Sequence, residues 1–194
     1  MARVTRVTKS MKDQTCGRCR KELPKGSPYQ WAKPGFRSRT RLIRCLDCNF
    51  RQSELTTSLL STAYAAQENL EDAVDSWDGE DAQELTDALE AAAEEAQECY
   101  DAYDEANSSW EDNSGSENYE FTEKRDAIEQ WQDALRSVDF DERPEEPVQD
   151  QGVVGDDHDQ AAWDEEYAAW ETELDEWVDA CRDAVREACG ELSV

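Results

Sequence analysis

The chain is 194 residues long (22.1 kDa), with 48 acidic against 20 basic residues, a formal net charge of −28 and 38% hydrophobic residues. No stretch approaches the roughly 20 apolar residues of a membrane span, and the start lacks a signal-peptide core, so neither a membrane protein nor a secreted precursor is expected. The total charge also opposes a protein that coats nucleic acid along its whole length, because phosphate would be repelled.

That total conceals a division. Residues 1–53 carry 14 Lys and Arg against 3 Asp and Glu, a balance of +11, whereas residues 54–194 carry 6 against 45, a balance of −39. In chain order, Arg3, Arg6, Lys9 and Lys12 recur every three residues with little hydrophobicity, so residues 1–13 read as a flexible basic arm. Residues 14–52 hold two C-x2-C pairs, Cys16/Cys19 and Cys45/Cys48, with 25 residues between them. Two thiolates three positions apart on a tight turn both reach one Zn²⁺ at about 2.3 Å, and two such turns complete a tetrahedral set with no open position, the arrangement of a structural zinc. The rivals are two disulfides, which belong to an oxidising compartment, and a rubredoxin-like iron.

Between the pairs, Tyr29 and Trp31 alternate as in a strand with one buried face, Pro34-Gly35 is turn chemistry, and Arg39, Arg41 and Ile43 alternate with Thr40, Leu42 and Arg44. The reading is a β-hairpin, about 28–33 with 39–44, whose small core depends on metal for much of its folding energy. A knuckle, a hairpin and a last C-x2-C running into a helix make a treble-clef-like outline; a zinc ribbon is the alternative and calls for a third strand after Cys48. Cys16-x2-Cys19, Leu23, Gly26, Tyr29-x-Trp31 and Arg44-Cys45-x2-Cys48 resemble the small Cys₄ fingers of tailed-phage and archaeal-virus proteins. The pattern is also similar to the poly(ADP-ribose) polymerase-type finger, where the third ligand is usually His rather than the Cys45 found here. The resemblance covers residues 14–50 and implies a zinc-held module.

Two explanations compete for the basic residues. In one, Arg37, Arg39, Arg41 and Arg44 contact phosphate while Trp31 and Phe36 stack on bases of DNA or RNA. In the other, they balance a Zn(Cys)₄ centre of about −2 and the acidic half of the chain.

From residue 53 to 138 the period is helical. Leu55, Leu59, Ala63, Ala66, Leu70, Ala73 and Trp77 form one stripe, which Asp78-Gly79 interrupts. Leu85, Leu89, Ala92, Ala96, Cys99, Tyr103, Ala106 and Trp110 form a heptad seam. A turn at 113–117 precedes a shorter helix with Thr122 as N-cap and Ile128, Trp131, Leu135 and Val138 on its face. Residues 139–158, with Pro144, Pro147, Gly152 and Gly155, read as a mobile acidic linker. Trp163, Trp170, Trp177 and Ala184 then recur every seven residues along a last helix, 159–190, with Tyr167, Leu174, Cys181 and Ala188 between them. Such a seam calls for packing against other helices, within the chain or in a partner. Cys99, Cys181 and Cys189 lie in helical stripes, and His158, the single histidine, lies in the linker, so a second metal set lacks its fourth ligand.

No Ser-His-Asp set, Gly-rich phosphate loop or H-E-x-x-H is present, and a non-enzymatic role is expected. Just 6 lysines with abundant Asp, Glu and Ala are similar to the composition of proteins from salt-in halophilic archaea and their viruses. The Debye length falls from about 8 Å at physiological salt to about 3 Å at 1 M, which screens a self-repelling body. The expectation is therefore a small α+β Cys₄ zinc finger (β-hairpin plus helix) followed by a mainly α, partly coiled-coil region. It would be cytoplasmic (in the host cytoplasm or a virion if viral), bind DNA or RNA through the finger, and bind a protein partner or a second copy through the acidic helices. An assembly protein that uses its finger as a folding or docking module is the alternative.

Overall fold

The computed structural model describes residues 2–34, 40–148 and 160–192. A small β region holding the four clustered cysteines is followed by a mainly helical body.

The β region has two sheets. Strand β1 (Thr5–Val7), β4 (Tyr29–Ala32) and β5 (Leu42–Arg44) form an antiparallel sheet in the order β1-β4-β5, and β2 (Gln14–Thr15) pairs with β3 (Glu22–Leu23) around the first C-x2-C. The hairpin expected from the sequence is there, with Gln30 opposite Arg44 and Trp31 opposite Ile43. The N-terminal segment, in contrast, is not a free arm. Thr5 and Val7 face Trp31 and Tyr29 across the open edge of β4, whose backbone groups would otherwise lack partners. Beyond β1, buried Ser10 exchanges backbone hydrogen bonds with Ser27 and Gly26 (both 2.9 Å), and the Asp13 carboxylate accepts from the Lys25 N–H at 2.7 Å. The third strand thus comes from before the first knuckle, not from after Cys48. The helix expected beyond Cys48 is a single turn, α1 (Gln52–Leu55).

Four longer helices follow: α2 (Ser61–Ser76), α3 (Ala82–Ser114), α4 (Tyr119–Ser137) and α5 (Gln160–Gly190). Their stops and starts are local. Gly79 (φ 86°) and Gly115 (φ 74°) adopt the left-handed conformation after α2 and at the end of α3. Asp81 and Asn118 cap α3 and α4 by accepting the N–H of Gln83 and Glu120; Thr122, the expected cap, lies one turn inside α4.

Long-range contacts show the helices running up-down-up-down. Gln132 of α4 donates to the Ala93 carbonyl of α3 while Asn107 of α3 meets Asn118 and Thr122. The Trp131 indole donates to the Ala188 carbonyl of α5 (3.1 Å), and Gln67 of α2 donates to Cys189 (2.8 Å). One apolar core, including Leu70, Leu85, Ile128, Trp131, Leu135 and Val185, joins all four.

The buried stripes keep most of the expected positions, Trp77, Cys181 and Ala188 among them, and shift by one position at single points. In α3, Asn107 is buried where the seam put Ala106, and Trp110 is 49% exposed. In α2, Val74 replaces Ala73, and in α5, Val185 replaces Ala184 as the core residue. In α3, where the expected register is not resumed, the shift matches the drift of about 20° per heptad between a straight helix of 3.6 residues per turn and a 3.5 repeat. Two further expectations change. Leu59 is 41% exposed, because the chain bends between α1 and α2. Residues 139–148 lie along α5, where the Trp177 and Trp170 indoles donate to the Asp141 and Pro144 carbonyls. The remainder of the expected linker lies outside the described residues. Among the described residues no helix is long and apolar enough to cross a membrane.

The β region is seated on α2. Glu68 accepts from the backbone N–H groups of Gln52 and Ser53 and from the Ser53 hydroxyl, and so caps α1 from outside. Arg51 pairs with Asp72, and the Ala2 N–H reaches the Leu55 carbonyl at 3.4 Å.

Candidate metal centre and its basic surroundings

The first cysteine pair sits in the turn between β2 and β3, and the second follows β5 directly. The turn at Cys16 closes through the Arg20 N–H to Cys16 carbonyl bond (3.0 Å), with Arg20 at φ 61°, and the Gly17 N–H donates to the Ile43 carbonyl at 2.9 Å. That last bond brings the two knuckles together. A Cβ at Gly17 would lie 2.6 Å from an Arg44 guanidinium nitrogen, so a larger residue there would displace the Arg44 side chain.

The sulfurs of Cys16, Cys19, Cys45 and Cys48 all lie within 4.8 Å of one another. Cys19 and Cys45 sulfurs are 3.7 Å apart, far from a disulfide bond. Four sulfurs held at about 2.3 Å from one tetrahedral ion are about 3.8 Å apart, so the separation suits a metal site. Burial would raise the Cys16 thiol, but the backbone N–H groups of Cys19, Cys45 and Arg18 outweigh it and bring its pKa down to about 6. Cys48, hydrogen-bonded to Cys45 and Cys19 and near Cys16, is pushed up to about 12. Crowded thiols oppose joint ionisation unless a cation is shared, and a bound metal supplies that charge.

A residue with no motif to announce it holds the second knuckle. Gln30, buried in β4, donates its side-chain amide to the carbonyls of Cys48 (2.7 Å) and Cys45 (3.2 Å). Gln30 and Ala32 are the buried residues of this strand, while Tyr29 and Trp31 are half buried, the reverse of the simple alternation reading. The physical cause is that knuckle carbonyls need donors once they are removed from water. A polar residue between two aromatics in a strand was the available signal.

The expected phosphate contacts divide. Arg44 is not placed to reach a ligand: it is 6% exposed, pairs with Glu54, donates to the Ile43 carbonyl at 3.1 Å and lies over the Phe50 ring. It is a structural strut between β5 and α1. Arg41 is exposed, with its guanidinium 4.4 Å from the Trp31 ring centroid. Arg37, Arg39 and Phe36 lie outside the described residues, as does His158. Of the basic residues described in 1–53, only Lys21, Arg44 and Arg51 form ion pairs.

The other three cysteines belong to the helical body. Cys99, Cys181 and Cys189 are buried, and burial raises all three thiols, Cys189 to about 11. They act as small apolar side chains, with the Cys99 thiol donating to the Leu59 carbonyl at 3.3 Å.

No family model matches the chain, and neither does any curated protein or solved structure.

Proposed function

We propose that the protein is a non-enzymatic nucleic-acid-binding protein with a treble-clef-like Cys₄ zinc finger, from a halophilic archaeon or its virus. Zinc suits a closed four-thiolate set that folds a region too small for a large core. The observation that carries the reading is the retention, among the described residues, of cations without carboxylate partners on the finger of a chain whose net charge is −28. A chain so rich in Asp and Glu has every opportunity to neutralise them. Arg41 stacked on Trp31 supplies a phosphate donor beside an aromatic ring. At molar salt simple charge attraction is weak, and stacking with directed guanidinium hydrogen bonds takes its place.

The test is retention of labelled single- and double-stranded DNA and RNA by the zinc-loaded full chain between about 0.1 and 1 M KCl. Binding that survives about 1 M KCl and falls at least tenfold in Arg41→Glu, with zinc retained, is the expected result. Absence of binding at every salt concentration overturns it.

A second reading has its own support. Glu68 and Arg51 join the finger to α2, as a folding or docking module of an assembly or virion structural protein would require. Its acidic helices would then meet a protein partner or a second copy. Sedimentation of the full chain as a strict monomer, with no partner captured, counts against it.

A further inference from the structure

A second feature lies where the finger meets the helical body, away from the cysteines. A cleft of about 890 Å³ opens between the β1/β4 side of the sheet, the segment after α1 and the first turn of α2. Its size falls within the ~300–1,000 Å³ of small-ligand sites. Two cations, Arg3 and Lys33, line it with two aromatic rings, Trp31 and Tyr64, and with the hydroxyls of Thr57 and Ser58. Among the described residues of its wall there is no carboxylate, although 48 of the chain's 194 residues are acidic. Arg3 and Lys33 are exposed and form no ion pair among the described residues. Trp31 is half buried, and Arg41, which does not line the cleft, lies over its ring.

Cations, flat rings and hydroxyls without an acidic group specify an anionic ligand with a planar part. We infer that this cleft binds a nucleotide unit, with the base against Trp31 and Tyr64 and the phosphate at Arg3 and Lys33. Stacking on an aromatic ring persists at high salt, where phosphate attraction weakens. Hydroxyls at Thr57 and Ser58 offer both donors and acceptors to a sugar. The cleft exists because β1 pairs with β4 and because the Ala2 N–H is tied to the Leu55 carbonyl; both place Arg3 at the rim. This inference rests on the nucleic-acid reading above and gives it a definite site. The same chemistry is met by a nucleotide in a single strand and by a free one.

The experiment uses the zinc-loaded full chain in about 1 M KCl. Fluorescence anisotropy follows a labelled oligothymidylate of about a dozen nucleotides, and titration calorimetry follows free thymidine monophosphate. Two variants address the cleft: Arg3→Ser with Lys33→Ser, which removes exposed charges, and Thr57→Trp, which fills the space from an exposed loop. The expected result is a loss of at least tenfold in affinity for either variant, with zinc content unchanged. Oligonucleotide binding by the parent protein that both variants retain overturns the cleft and leaves the nucleic-acid reading standing. Binding of the free nucleotide but not the oligonucleotide, lost in both variants, supports the cleft and overturns the nucleic-acid reading. Failure of the parent protein to bind either probe overturns both.

Discussion

Replacing Glu54 with alanine leaves the Arg44 guanidinium inside the β region without its counter-ion. The Arg44 side chain is 7% exposed and that of Glu54 is 25% exposed. Breaking a fully buried pair by removing one partner costs about 3–5 kcal/mol. Two features lower that figure here: Glu54 is partly in water, and Arg44 keeps the Ile43 carbonyl and the Phe50 ring. About 2 kcal/mol is expected from the pair itself. Glu54 also accepts the Arg51 N–H at 3.1 Å at the start of α1. Losing that cap adds about 1 kcal/mol, for a total near 3 kcal/mol, or roughly a hundredfold shift toward an opened β region. With zinc loaded, its release to a chromogenic chelator along a urea series would report the β region separately from the helical body. The double variant Arg44→Met with Glu54→Leu removes both charges and is expected to be the more stable of the two variants. A change below about 1 kcal/mol in Glu54→Ala, the size of an exposed ion pair, would refute the assignment of Arg44 as a buried strut.

Other outcomes follow from the same geometry. Elemental analysis is expected to find one zinc per chain, lost in Cys16→Ser, with helical circular dichroism largely kept because the helices have their own core. Gln30→Leu strands the carbonyls of Cys45 and Cys48 at a cost of about 1–3 kcal/mol, and faster metal release to a chelator measures it. Gly79→Ala combines a left-handed backbone with a Cβ 2.9 Å from a Val178 methyl, so a loss of about 1–3 kcal/mol in urea unfolding is expected. Glu71 is raised above its ordinary 4.5 by burial first and then by Glu68, Asp75 and Asp72. The folded chain therefore holds this proton more tightly than the unfolded one. That contribution favours folding below the ordinary value and is lost as pH rises through the raised one. Glu71→Gln is expected to raise the melting temperature at neutral pH and low salt, with the gain vanishing below pH 4.5 and shrinking in molar KCl. An unchanged melting temperature would remove this account of the acidic face.

Some of this molecule follows from spacing along the chain alone. Cys16-x2-Cys19 and Cys45-x2-Cys48 are each closed within one turn, so the cysteine cluster was legible without the fold. The breaks near Gly79 and Gly115 were legible for the same reason, since a left-handed residue acts on its own backbone. What lay beyond reach depended on partners distant in sequence. The edge of β4 recruited Thr5–Val7 from a segment that composition marked as an arm. Knuckle carbonyls drew in Gln30, and Glu54 drew in Arg44, converting an expected phosphate contact into a support. Heptad spacing located most of the buried positions, Trp77 and Ala188 included, but packing against neighbouring helices also buried Val74, Asn107 and Val185, and in α3 the drift of a straight helix left Trp110 half exposed. Local chemistry set the cysteine quartet and the helix breaks. The tertiary structure decided which cations stayed at the surface, because an arginine's availability depends on whichever carboxylate the fold places beside it.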